Sequence, residues 1–346
     1  MKVLLIKLNH LGDTLLLTPT IEWLAVRFPG AQIDVMVRAG CEAVLRGHPS
    51  IHRLIPVARP EKQRRRWTEG VGEFLRALRW VAGRRYDYAF ALSESDRAFF
   101  WARLSRASVR GVNDSYGTLG WKRRLFTQVS DFAWGREHQV LKDFRTVTGA
   151  IEPGAQPGPM RFYPPVVTAE MERKFPFALP GRFAVVHTTS RWAFKQWMPE
   201  RWAAVLRGVR ERHGLLPVLT AGPACGERAY VDQVLAGAPA GTLNLAGQTS
   251  LAELGWLLGR ARLFLGVDTV AMHLAAAMQT PTLALFGPSS EWSWYPWQCP
   301  HELVLGECSC KVTLQFVCDK SRPYPCMEKI TETAVLTALA RLLEKT

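Results

Sequence analysis

The sequence predicts an α/β protein of two domains, each a doubly wound parallel sheet, and three observations carry that expectation. Short apolar runs alternate with amphipathic stretches from the first residues onward, the rhythm of strand, helix, strand. The rhythm stops in a stretch rich in proline and glycine around residues 151–182 and restarts at Phe183. The length of 346 residues fits two domains at roughly 150 residues each, so each half can bury its own core. The reading is an N-terminal domain over 1–155, a linker over 156–180, a second domain over 181–330 and a terminal helix over 331–346 that folds back across the junction.

In order, a strand is expected at Val3 to Leu8, a helix at Thr14 to Arg27, a strand at Ile33 to Val37 and a helical stretch around Ala43 to Arg46. Strands follow at Leu54 to Val57 and Tyr88 to Leu92. Between them Trp67 to Val81 reads as a helix whose apolar face is Val71, Phe74, Leu75 and Leu78. A helix near His138 to Thr148 closes the first half. The second half opens with a strand at Phe183 to His187, a helix from Pro199, a strand at Pro217 to Thr220, a helix from Glu227 and a short strand near Leu243. It continues with a helix at Ala252 to Arg260, a strand at Leu263 to Gly266, a helix from about Val270 to Met278 and a strand at Thr282 to Phe286. Thr331 to Glu344 is a terminal helix with Val335, Leu336, Leu339, Leu342 and Leu343 on one stripe.

Composition excludes several classes. With 48% hydrophobic and 21% charged residues the chain is an ordinary globular one, and a mean hydropathy of -0.04 argues against disorder and membrane spans. No run approaches 18 apolar residues, and Lys7, His10 and Asp13 interrupt the N-terminal segment where a signal peptide needs an apolar core. The chain is therefore expected to stay in the cytosol. Forty-four Lys and Arg against 30 Asp and Glu leave a net charge of +14, which favours an anionic partner: nucleic acid, anionic lipid or a phosphorylated substrate. No zinc-finger spacing, RNP signature or basic repeat supports nucleic acid, which is not expected as a partner.

Three strand-to-helix loops can carry chemistry, all at the carboxyl edge of a sheet, where doubly wound folds bind ligands. After the first strand, Asn9-His10-Leu11-Gly12-Asp13 sets a carboxylate able to deprotonate a hydroxyl, while Gly12 lets a substrate approach the backbone; the alternative is that Asp13 only caps a helix. No GxGxxG follows this strand, which speaks against a dinucleotide fold. The second loop, His187 to Pro199, offers Thr188, Thr189, Ser190 and Lys195 to a phosphate. The third, Gly266-Val267-Asp268-Thr269-Val270-Ala271-Met272-His273, places a helix N-terminus where a diphosphate can sit.

These loops, with TSRWxFKxW and GVDTxxMHLAAAxxxPTxALFGP as their wording, resemble the lipopolysaccharide core heptosyltransferases of glycosyltransferase family 9 over essentially the whole chain. The SRWxFKxW segment and the cysteine-containing tail are most similar to the heptosyltransferase III branch. The resemblance implies the GT-B fold of two Rossmann-like domains facing a cleft. It implies inverting transfer of heptose from ADP-L-glycero-D-manno-heptose to the inner core, with the acceptor on the N-terminal domain and the donor on the C-terminal one. It assigns Asp13 as the base, Lys195, Thr188, Thr189, Ser190 and the helix start at Thr269 and Val270 to the diphosphate, Asp268 and the neighbouring His273 to the sugar, and Glu227 to the ribose. Many relatives have glycine where this chain has Val270, so the loop must tolerate a Cβ there. No cofactor is needed for that chemistry.

Two features remain. The basic runs Arg64, Arg65, Arg66 and Lys122, Arg123, in the half that carries Asp13, suit a phosphorylated inner core or lipid A-core precursor and the anionic surface of the inner membrane, on whose cytoplasmic face the protein would lie peripherally; a solvated charged face is the alternative. Cys308, Cys310, Cys318 and Cys326 can supply four thiolates to a structural zinc or iron, although the spacing is not that of a zinc ribbon and free thiols are the favoured reading. A different acceptor, including protein, and a catalytically silent nucleotide-sugar-binding relative also stay open.

Overall fold

A computed structural model describes residues 1–58, 67–133, 135–309, 311 and 325–346, and the chain divides into two compact units, Met1–Tyr163 and Pro164–Thr346. The boundary lies inside the stretch read as a linker. Residues up to 163 pack on the first unit, where Arg161 N donates to Thr18 Oγ1 (3.2 Å) and Tyr163 OH to Glu22 Oε1 (2.6 Å).

The first unit holds the strands β1 Lys2–Lys7, β2 Gln32–Arg38, β3 Ile51–Val57, β4 Tyr88–Ala91, β5 Val109–Asn113 and β6 Gln128–Ser130. Around them lie the helices α1 Leu11–Leu15, α2 Thr18–Arg27, α3 Trp67–Ala82, α4 Asp96–Leu104 and α5 Gln139–Ile151. Its strand order is β3-β2-β1-β4-β5-β6, all parallel. The second unit carries α6 Thr168–Lys174, β7 Phe183–His187, α7 Pro199–His213, β8 Leu216–Thr220, α8 Cys225–Ala236 and β9 Leu243–Asn244. It goes on through α9 Leu251–Leu258, β10 Leu263–Val267, α10 Val270–Ala277, β11 Thr282–Phe286, α11 Glu291–Trp294, β12 His301–Leu305 and a terminal helix, Glu332–Glu344. The order β12-β11-β10-β7-β8-β9 is the same arrangement again, so each sheet changes direction once, between β1 and β4 and between β7 and β10. Crevices at such points are where these sheets bind ligands.

Strands buried on both faces explain the unbroken apolar runs: Val3 to Ile6 and Phe183 to Val186 are wholly enclosed. At the second switch point Gly266 pairs with His187, and a Cβ on it would stand 2.8 Å from the His187 carbonyl oxygen, so glycine is required for β10 to lie against β7.

The structure corrects the sequence reading in three places. The helix expected over Thr14 to Arg27 is two, because Pro19 has no N–H for the Leu15 carbonyl; the Thr18 hydroxyl donates to that carbonyl instead (2.9 Å). The stretch at Ala43 to Arg46 is a single 3₁₀ turn over Cys41–Val44. In α3 the buried side is Ala77 and Val81, whereas Val71, Phe74 and Leu75 are exposed. The terminal helix is buried in the second unit's own core, with Val335, Leu339 and Leu342 packed in one cluster with Leu206 and Val209 of α7. Each such side chain stabilises that packing by about 1.5–3 kcal/mol.

Candidate active site

At the second switch point, Lys195 Nζ stands 2.5 Å from Asp268 Oδ2, with the aspartate almost wholly buried. Burial pushes the Asp268 carboxyl up, but the Lys195 ammonium, neighbouring His273 and hydrogen bonds from Lys195 and Ser289 outweigh it and hold it below the usual aspartate value. It is thus a carboxylate at neutral pH. Thr269 is the N-cap of α10 and makes no side-chain cap bond, while Val270 is its first residue with no positive φ, so the Cβ in place of a glycine costs no strain. The buried Oγ1 atoms of Thr188 and Thr269 have no hydrogen-bond partner among the described residues. Hydroxyls left open in this way, an ammonium and a helix N-terminus are groups that can together receive an anion.

Glu227, in the first turn of α8, accepts from Gly222 N (2.7 Å) and Thr189 Oγ1 (3.2 Å) through Oε2. A Cβ at residue 222 would lie 2.5 Å from that oxygen, so Gly222 is what lets the carboxylate in. Ser190 Oγ accepts from Trp192 N (3.2 Å). His187, ending β7, shares a 3.0 Å contact with Thr220 Oγ1 and is pushed down to about 4 by burial. His273 is buried, its ring 6.2 Å from that of Trp294.

The first switch point is built on a buried ion pair. Lys7, ending β1, lies 2.7 Å from Asp143 Oδ2 of α5 and donates to the Leu92 carbonyl (3.3 Å). Leu8 N donates to Ser93 Oγ (2.7 Å), and the Ser93 hydroxyl donates to the Asn9 side chain, so the loop leaving β1 is tied to the end of β4. Gly12 and Asp13 follow within α1, where Asp13 Oδ2 accepts from His10 N at 3.2 Å. The capping role is therefore real. Asp13 is nevertheless partly exposed, and it is one of the charges that raise the nearby Cys41, Tyr116 and Asp143 groups.

Of the expected acceptor cations, Arg64, Arg65 and Arg66 lie outside the described residues. Lys122 pairs with Asp96 (2.5 Å) and Arg123 with Asp114 (3.7 Å), so both already have carboxylate partners. The sequence reading missed Arg38, at the end of β2, and Arg97, in the first turn of α4, which line a cavity of about 310 Å³ beside the Asp13 loop. Arg38 ends its strand at the carboxyl edge, but no local signal in the sequence sets Arg97 beside it.

Cys310 and Cys318 also lie outside the described residues. Cys326 is buried in the apolar core of the second unit and Cys308 packs against it, and among the described residues no three His, Cys, Asp or Glu side chains gather around a common point. The four-cysteine metal site has no support there.

Residues 78–322 match the sequence model of glycosyltransferase family 9 (heptosyltransferase). Lipopolysaccharide heptosyltransferase 3 of Escherichia coli is 29% identical over 289 residues, 83% of either chain. Among solved structures, a glycosyl transferase family 9 protein from Veillonella parvula superposes with a TM-score of 0.81 at 20% identity, covering 100% of this chain and 97% of its own. E. coli ADP-heptose LPS heptosyltransferase II gives 0.76 at 21%, covering 100% and 99%. At those identities the structures speak for the fold, which is that of two six-stranded parallel α/β units.

Proposed function

The chain belongs to glycosyltransferase family 9, the heptosyltransferases, and on that premise we propose that it moves heptose from ADP-heptose to the inner core of lipopolysaccharide, with the first unit binding the acceptor and the second the donor. In this reading Asp13 takes the proton from an acceptor hydroxyl as its oxygen attacks the anomeric carbon. The bond from that carbon to the diphosphate breaks with inversion, and ADP leaves. A positioned base of this kind is worth roughly 10²–10⁴ in rate. Lys195 and the start of α10 take the charge that grows on the leaving diphosphate, while Asp268 both orients Lys195 and accepts from sugar hydroxyls.

The observation that carries the reading is the donor edge: the 2.5 Å Lys195–Asp268 pair beside the unpartnered hydroxyls of Thr188 and Thr269. A relative that had gone silent would have no reason to keep it. Asp13 lies ahead of the matched span 78–322, so its role rests on its place in the fold and on the motif it belongs to.

The acceptor's lipid puts the enzyme at a membrane surface on the cytoplasmic side, as a peripheral protein. No helix among the described residues is long and apolar enough to span a bilayer. The exposed Val71, Phe74 and Leu75 of α3, with Arg76 and Arg79 also exposed on that helix and the basic run ahead of it in sequence, suit adsorption to anionic lipid. One experiment tests both statements: the purified protein is given ADP-heptose and heptose-bearing core acceptor, either free or in anionic or neutral vesicles, and product linkage is read by mass spectrometry and NMR. The expected result is an inverted heptosyl product, formed fastest on anionic vesicles. Absence of product from every acceptor overturns the function, and equal rates on both vesicle types overturn the membrane role.

A further inference from the structure

We propose that Arg228, at the start of α8, reads the base of the nucleotide, its guanidinium lying flat on the purine ring of ADP and setting a preference for a purine over a pyrimidine donor. The inference rests on the reading that the second unit binds ADP-heptose. It supplies a partner for the one part of the nucleotide that Lys195, Asp268, Thr269 and Glu227 do not meet.

Topology fixes where the base falls. In the order β10-β7-β8-β9, the groups assigned to the diphosphate follow β10 and β7, and Glu227, assigned to the ribose, lies just beyond β8. Neighbouring strands stand about 4.8 Å apart, so a nucleotide running across these three strand ends brings its base to the loops that leave β8 and β9. Backbone bonds join those loops: Leu245 N donates to the Leu219 carbonyl (2.8 Å) and Gly247 N to that of Ala221 (3.0 Å). Arg228 rests on them. A Cβ on Gly247, whose φ is +71°, would stand 3.1 Å from Arg228 Cδ, 3.6 Å from Arg228 Cγ and 3.3 Å from Pro223 Cα. The glycine thus lets the Arg228 stem lie down across the loop after β9, as Gly222 lets the neighbouring Glu227 carboxylate in.

The chemistry of this side chain suits a flat aromatic face. Arg228 is exposed, and among the described residues it makes no hydrogen bond and no ion pair. The carboxylates beside it on α8 have other partners: Glu227 accepts from Gly222 N and Thr189 Oγ1, and Asp232, one turn further on, accepts from Asn244 Nδ2 (3.5 Å). A guanidinium is planar and weakly hydrated, so it stacks on a nucleobase in a way that an ammonium cannot. Its stem is already packed on backbone, which lowers the ordering cost of binding. A purine offers that plane two fused rings and a pyrimidine one, so the contact discriminates by itself.

The test measures binding of ADP, UDP and inorganic pyrophosphate by calorimetry to the full-length parent, Arg228→Ala and Arg228→Lys, alongside the KM for ADP-heptose. Arg228→Ala should weaken ADP roughly fivefold or more, the scale of one base-stacking contact, with a smaller loss for UDP and less than about twofold for pyrophosphate. The ratio of ADP to UDP affinity should therefore fall. Arg228→Lys keeps the charge and loses the plane, so on ADP it should lie close to Arg228→Ala. The KM for ADP-heptose should rise in step with ADP affinity while kcat stays within about twofold.

An equal loss on all three ligands, recovered by Arg228→Lys, makes Arg228 a phosphate contact and overturns the assignment. Parental ADP affinity in Arg228→Ala overturns it as well. Should Arg228→Ala loosen the loop by removing the stem from Gly247, Arg228→Lys retains the stem and carries the comparison alone. Failure of the assignment leaves ADP bound and transfer dependent on Asp13, whereas failure of the functional reading leaves a parent that binds no ADP.

Discussion

Lys7 and His187 hold the same place in the two units, each the last residue of the strand beside its switch point, and they are treated in opposite ways. Lys7 keeps a charge inside the protein, with Asp143 of α5 2.7 Å away and the Leu92 carbonyl as a further acceptor. His187 is buried without a carboxylate partner among the described residues, and burial pushes it down to about 4, beside Thr220. In the first unit the buried cation fastens a helix and two loops around Asp13. In the second the cation comes one loop later, as Lys195, and stands at the ligand edge beside α10. One fold supplies the position, and the side chains decide whether it serves as a clamp or as a binding surface.

The largest expected effects separate the two edges by function. Asp13→Asn should lower turnover roughly 10²–10⁴-fold with ADP affinity unchanged, because a base acts in the transition state and does not hold the nucleotide. Lys195→Ala should weaken both ADP binding and turnover, the latter roughly 10²–10³-fold, with acceptor KM little changed. Calorimetry with ADP alongside steady-state kinetics distinguishes them. A folded Asp13→Asn enzyme with near-parental turnover would reduce Asp13 to the cap it forms with His10.

A comparable effect, in stability and not in rate, is expected at Lys7. Lys7→Met leaves Asp143 buried without its counter-ion, a loss of about 3–5 kcal/mol, whereas the double change Lys7→Met with Asp143→Leu should recover most of it. Urea unfolding of the three proteins measures this. A single-mutant loss below about 1 kcal/mol would mean that the pair is not the clamp described above.

Much of this was legible in the sequence because apolar runs and loops obey local rules. The loops of the second switch point were readable since Asp268 follows β10 directly and Lys195 lies in the loop leaving β7, and β7, β10 and β11 are mainly apolar runs. The strands β5 and β6 gave no such signal: VRGVN contains an arginine and a glycine, and QVS is three residues long. The exposed face of α3 was misread because periodicity finds an apolar stripe without saying what covers it; Ala77 and Val81 enter the core and Leu78 packs against it, while Val71, Phe74 and Leu75 are exposed. Arg38 and Arg97 were missed for a related reason, since 59 residues separate two side chains that share a cavity only through the order β3-β2-β1-β4. No local pattern reports that proximity.

The smallest expected effect sharpens the contrast between Lys7 and His187 through pH. The His187 value is about 4 in the folded protein against 6.5 when exposed, with burial as the cause. Above pH 6.5 the ring is neutral in both states and costs nothing. As pH falls below 6.5 the unfolded chain takes up a proton that the native protein refuses, so stability drops by about 1.36 kcal/mol per unit and levels off near pH 4 after a loss of about 3 kcal/mol. At the other switch point the sign reverses. Burial outweighs Lys7 and holds the Asp143 carboxyl above its usual value, so its contribution is present at low pH and is lost as pH rises through the folded value. Urea titrations at intervals from pH 7 to 4 should therefore show a shallower acid slope for His187→Gln than for the parent, with a residual slope from His48, which burial also lowers. Parallel curves for the two proteins would mean that His187 does not stay neutral in the native state, and the contrast with Lys7 would fail.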